Sequence, residues 1–174
     1  MPARARLFSK PSTPTSKCFR AASTRQQGLA CADCHMPYRR EGNVKVTSHW
    51  WSSPLRHLEG TCTVCHTEDV ELLKQRVFYT QDRVKDLLDR AGQALAGAID
   101  AIANARQTPG VDAELIRRAQ DLHREAQWYW DWCSAENSTG FHNPQTIMAT
   151  LGKAIDLAHQ ARAAALAAVA AQAR

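Results

Sequence analysis

The sequence predicts a mainly α fold in which an irregular, turn-rich segment precedes a set of long antiparallel helices. Two observations carry this. From about Asp69 onward apolar residues recur at three- and four-residue steps, in three stretches separated by strong stop signals. Before Asp69 no such period exists; there are turn signals and two copies of one five-residue word.

Taken in order, residues 1 to 27 are rich in Ser, Thr, Pro, Arg and Lys and read as a disordered leader. Residues 28 to 69 form the segment that holds both words, with turns at Glu41-Gly42-Asn43 and Ser53-Pro54. Residues 70 to 174 are the long-helix region. Leu72, Leu73, Val77, Val84, Leu87, Leu88, Leu95, Ile99 and Ile102 give one helix to about Arg106, stopped by Thr108-Pro109-Gly110. A second runs from about Asp112 to Ala135, with Leu115, Ile116, Leu122, Trp128 and Trp132 on its apolar face, and Asn137 to Gly140 ends it. A third starts at Pro144 behind an Asn143 N-cap and continues to about Ala171.

The words are Cys31-Ala32-Asp33-Cys34-His35 and Cys62-Thr63-Val64-Cys65-His66. C-x-x-C-H is the pattern of covalent c-type haem attachment. Two thiols add to the vinyl groups of one macrocycle, and the following histidine ligates the iron from one side. Cys31, Cys34, Cys62 and Cys65 are thus expected to hold two haems c, with His35 and His66 as iron ligands. A structural zinc site is the rival, since the four cysteines also read C-x2-C…C-x2-C. Four thiolates fill such a site and leave His35 and His66 unexplained, which favours haem. A disulfide framework is less suited, because long helices need no staple.

A haem with protein ligands on both faces needs a second residue for each iron. His142 stands in the turn before the third helix, where a fixed backbone can aim it, and His49 follows His35 closely. His57, His123 and His159 have no such setting. Cys133 reads as a buried apolar residue, and Cys18 receives no role. Trp128 and Trp132 share a helix face and read as core or haem packing rather than as an electron conduit.

The formal charge of +5 comes from scattered Lys and Arg and points to no nucleic-acid partner. No apolar run reaches the about 18 residues of a membrane span.

Cys31 to Tyr38, Val46 to His49, Cys62 to His66 and Glu136 to Gln145 together resemble, in order and spacing, the C-terminal part of pentahaem ammonia-forming cytochrome c nitrite reductase. The resemblance covers residues 28 to about 165. It implies that the words are the last two of five haem sites. It makes His35 the proximal and His142 the distal ligand of the first haem here, and His66 the proximal ligand of the second. His49 becomes the distal ligand of a haem attached upstream of this chain. It implies bis-histidine relay haems, a periplasmic homodimer formed through the long helices, and nitrite and a quinol-linked donor as partners. It also places the lysine-bearing catalytic haem word and the calcium site outside the matching region, so no catalytic residue is expected here. The chain is therefore read as a C-terminal fragment, with a free-standing dihaem electron carrier as the alternative.

Residues 1 to about 24 depart from the family pattern and lack the apolar core of an export signal. Shifting the reading frame of codons chosen for Lys10 to Phe19 spells a family-like Ala-Gln-His-Pro segment. These residues are accordingly expected to be translated in the wrong frame, which the nucleotide sequence tests.

Overall fold

The computed structural model describes Pro14, Cys18, Arg20 and residues 22–172. The leader and shifted-frame readings fall for the most part outside the described residues. After a short helix α1 (Ser23–Gln26) comes α2 (Cys31–His35), which is the first cysteine word itself. Strands β1 (Tyr38–Glu41) and β2 (Val44–Thr47) follow, then a 3-10 turn at Pro54–Arg56, α3 (Leu58–Thr61) and a second 3-10 turn at Cys62–Val64. Three long helices complete the chain: α4 (Val70–Arg106), α5 (Ala113–Ser134) and α6 (Pro144–Gln172).

The helix limits follow from local chemistry. Asp69 caps α4 by accepting from the Glu71 and Leu72 amides at 2.8 and 3.4 Å. Asp112 does the same for α5 with Glu114 and Leu115. Asn143 Oδ1 accepts from the Thr146 amide at 3.1 Å and caps α6. Each cap satisfies amides that the first turn leaves without partners.

The hairpin was not visible as strands. Glu41 pairs with Val44 across a two-residue loop in which Gly42 takes φ +60°, the geometry such tight hairpins demand. Both strands are short, and neither buries an apolar face. The alternation that betrays a strand is therefore faint.

Contacts among the long helices fix their directions. Ala101, Ile102 and Ala105 of α4 meet Ile116 and Ala119 of α5, and Ala165 and Ala168 of α6. At the other end Val84 and Ala91 meet Cys133, Ile147 and Leu151. Hence α5 runs antiparallel to α4 and α6, which are parallel to each other. The α6 seam is Ala154, Ala158, Ala161, Ala165 and Ala168, all fully buried at alternating four- and three-residue steps. Such small side chains allow close helix approach, toward the short end of the usual spacing of about 8–10 Å.

Two expected faces are corrected. In α5 the inward stripe is Ile116, Ala119, Ala126 and Cys133, and Trp128 is 65% exposed. Two residues beyond Ala126 is about 200° around the helix, so Trp128 points outward. Trp130 packs instead, its Nε1 donating to the Leu88 carbonyl at 3.0 Å, and Trp132 is partly buried. In α4, Leu72 and Ile99 are exposed, and alanines carry much of the interface.

Cys133 is buried as expected, and Cys18 is fully buried in the same cluster. Burial pushes both thiols up, Cys18 to about 11 and Cys133 to about 12. Few thiolates form at neutral pH, so both behave as apolar residues.

His123 Nε2, among the described residues, is the buried side-chain nitrogen with no hydrogen-bond partner. Burial, then neighbouring Arg124, hold its pKa below the ordinary 6.5. The unfolded chain therefore protonates first. The resulting stability is complete above about 6.5 and falls as pH drops through the lowered native value. Replacing His123 with Leu should raise stability by up to about 1 kcal/mol and flatten this acid loss. Urea unfolding at several pH values would show it, and an unchanged slope would contradict it.

Candidate haem-ligand site

The first word lies on α2, which presents Cys31 and Cys34 at the surface with His35 half-buried at its end. Asp33 stabilises this short turn by accepting from the Ala30 amide at 2.7 Å. The second word closes the segment before α4. Cys62 is partly exposed and Cys65 exposed, and the His66 amide bonds to the Cys62 carbonyl. The two words are neighbours. Desolvation of the Cys34 thiol, then nearby Cys62, Asp33 and Cys65, raise its pKa. Yet among the described residues no group of three or more His, Cys, Asp or Glu side chains converges as a metal cage.

His35 and His142 are 107 residues apart in sequence, and the fold brings them together. Their ring centroids lie 6.1 Å apart with the planes tilted by 56°. A metal shared by two imidazoles requires about this span. Each side contributes about 2 Å of metal–nitrogen bond and about 1 Å from nitrogen to ring centre. The span thus fits two imidazoles that share one metal ion.

Each ring is held by its other nitrogen. His35 Nδ1 lies 2.9 Å from the Ser52 carbonyl, and its ring stacks on Trp51 at 4.9 Å and 7°. A carbonyl can only accept, so Nδ1 carries the proton and Nε2 the lone pair. His142 Nδ1 lies 2.8 Å from Glu136 Oε1, a carboxylate that can only accept, so this Nδ1 also carries a proton.

Glu136 is the residue that sequence reading missed. Its side chain is fully buried. Oε2 accepts from the Ser138 amide at 3.1 Å, the Ser138 hydroxyl at 2.7 Å and the Gly140 amide at 2.8 Å. Burial pushes its pKa up. The bonds from His142, Ser138 and Gly140 more than reverse that and hold it at about 2. The Ser138 hydroxyl also accepts from the His142 amide at 2.9 Å. The turn is clamped onto α4, where Gln81 Nε2 donates to the Ser138 carbonyl at 3.0 Å. Glu136 was visible only as a member of the Glu136–Gln145 word; six residues from His142 matches no helical step, and the segment between them is a turn rather than a strand.

The other two expected ligands are not paired. His49 is exposed. His66 is also exposed and sits 3.5 Å from Glu68. Ring contacts among the described residues bring neither to a second imidazole.

The family model described as Cytochrome c552 matches residues 7–174. A cytochrome c nitrite reductase subunit NrfA of Nitratidesulfovibrio vulgaris is 41% identical over 148 residues, covering 77% of this chain and 28% of the relative. A cytochrome c-552 of Parabacteroides distasonis is 40% identical over 139 residues, covering 80% of this chain and 28% of the relative. The solved cytochrome c nitrite reductase of Desulfovibrio desulfuricans, described with two calcium sites in its catalytic subunit, superposes with a TM-score of 0.83. Its identity is 36%, over 88% of this chain and 33% of that one. This chain therefore spans about a third or less of the length of these relatives. With the His35–His142 pair set beside its attachment word, the match over nearly the whole sequence means that the chain belongs to the cytochrome c552 family.

Proposed function

We propose that this chain is the electron-relay part of an ammonia-forming nitrite reductase, carrying two haems c and not the catalytic haem. Cys31 and Cys34 hold one haem, and Cys62 and Cys65 hold the other. The observation that carries the reading is the 6.1 Å approach of His35 and His142 beside the first attachment word.

When bound, haem c supplies a reversible one-electron couple. The chain's residues determine what that couple does. His35 and His142 would both hold the iron of the first haem, which would suit that haem to relaying electrons rather than binding nitrite. Ser52 and Glu136 face the two Nδ1 atoms, and Trp51 stacks on the His35 ring. These contacts would hold both imidazoles in place when the haem changes oxidation state. His66 is the proximal ligand of the second haem, and His49 serves a haem attached outside this segment. Reduction of nitrite by six electrons belongs to a lysine-ligated haem outside the chain, so the segment alone is inactive toward nitrite. The exposed Trp50, Tyr38, Val64 and Tyr79 suit a surface that haems and the remaining protein cover. The long helices are the dimer contact, the compartment is the periplasm, and a quinol-linked protein is the donor. The calcium sites lie outside this segment.

The test is haem stoichiometry. Produced with an export signal in a host that attaches haem c, the chain should yield two haems by pyridine haemochrome. Replacing Cys31 and Cys34 with Ser should leave one. A haem-free product holding one zinc ion would refute the reading.

A further inference from the structure

The two axial imidazoles differ in what faces their Nδ1 atoms, and this inference rests on the haem reading just given. His35 donates to a neutral backbone carbonyl. His142 donates to a carboxylate that is fully buried and already fixed by three other donors. We propose that Glu136 is a positioning residue that makes His142 the stronger electron donor of the pair and thereby favours the oxidised state of the first haem.

The geometry supports an electronic role beyond packing. The carboxylate cannot turn away, because the Ser138 and Gly140 amides and the Ser138 hydroxyl hold Oε2 while Oε1 faces His142. Away from water, an acceptor of full negative charge polarises an N–H far more than a carbonyl does. Polarising Nδ1–H raises the electron density at Nε2, and outer-shell acceptors tune metal centres in this way. A more basic ligand stabilises the higher-charged oxidised iron. Holding the turn alone could be done by any acceptor; a buried carboxylate adds charge where the iron charge changes.

Two measurements test this. In the haem-loaded chain, Glu136→Gln should move the midpoint potential of the first haem upward while leaving the second unchanged. Glu136→Asp, which keeps the charge, should restore part of the shift. Unchanged potential in a Glu136→Gln protein with native helicity and two haems overturns the proposal. The second measurement needs no variant and no haem. Imidazole 15N shifts of the labelled full chain should place the His142 proton on Nδ1 with a strongly downfield N–H hydrogen. A proton on Nε2 overturns it. Haem content separates the outcomes. A product with no haem refutes the relay reading, whereas two haems with an unmoved potential refute only the role of Glu136.

Discussion

Replacing His142 with Ala should increase carbon monoxide uptake by the reduced, haem-loaded chain by one molecule per chain. In the proposed reading this pair would hold one iron from both sides, and neither ring has slack. His35 is pinned between Trp51 and the Ser52 carbonyl, and His142 is tied to Glu136 and, through its amide, to Ser138. Alanine removes one ligand and leaves space of about an imidazole beside the metal. The low-spin absorption of that haem should give way to a high-spin spectrum. The buried Glu136 loses one of four donors, a cost of about 1–3 kcal/mol, so the variant should still fold. Two controls sharpen the result. His159→Ala, on the exposed side of α6, should change nothing. His49→Ala should also leave uptake unchanged, because the haem it is proposed to serve lies outside this chain. If His142→Ala binds no more carbon monoxide than wild type, His142 is not the ligand.

What the sequence made legible follows from how locally each feature is encoded. The attachment words are contiguous, and their chemistry depends on spacing alone. The helix ends were legible for the same reason. Asp69, Asp112 and Asn143 act on amides two or three residues away. The inward faces were read less well. Burial in α4 and α6 rests on Ala91, Ala98, Ala105, Ala158 and Ala165, whose weak hydropathy hides the stripe, while Trp128 stood out by size and is exposed. The hairpin escaped because a two-strand ribbon with no buried face imposes no alternation. Most hidden was Glu136. Its importance depends on a turn folding back on itself beneath α4, and nothing in the spacing of Glu136, Ser138, Gly140 and His142 states that all four meet. A charged residue in a polar turn reads as solvated, and only the folded chain shows it buried.

Gly140 is the position where one methyl group should do most harm. Its φ is +83°, a conformation that costs a residue with a side chain about 1–2 kcal/mol. An added Cβ would also lie 2.6 Å from Val84 Cγ2 and 3.0 Å from Cγ1. Val84 is buried in α4 beside Ile147 and Leu151, so it cannot swing aside cheaply. Overpacking of this kind costs about 1–3 kcal/mol. Gly140→Ala should therefore destabilise the chain by about 2–5 kcal/mol, a large part of a typical domain's stability. The damage should reach the ligand as well. The Gly140 amide donates to Glu136 and its carbonyl accepts from Asn143, so a shift here moves the residues on either side of His142. The two causes separate in a double-mutant cycle. Val84→Ala removes the clashing methyls but leaves the backbone strain. In that background Gly140→Ala should cost only the strain, giving a favourable coupling of about 1–3 kcal/mol. Denaturant unfolding of the four proteins measures the coupling, and the His142-dependent low-spin band reports whether the turn recovers its position. Strictly additive costs would show that the methyl never meets Val84 and that the turn sits farther from α4 than the contact at 2.6 Å requires.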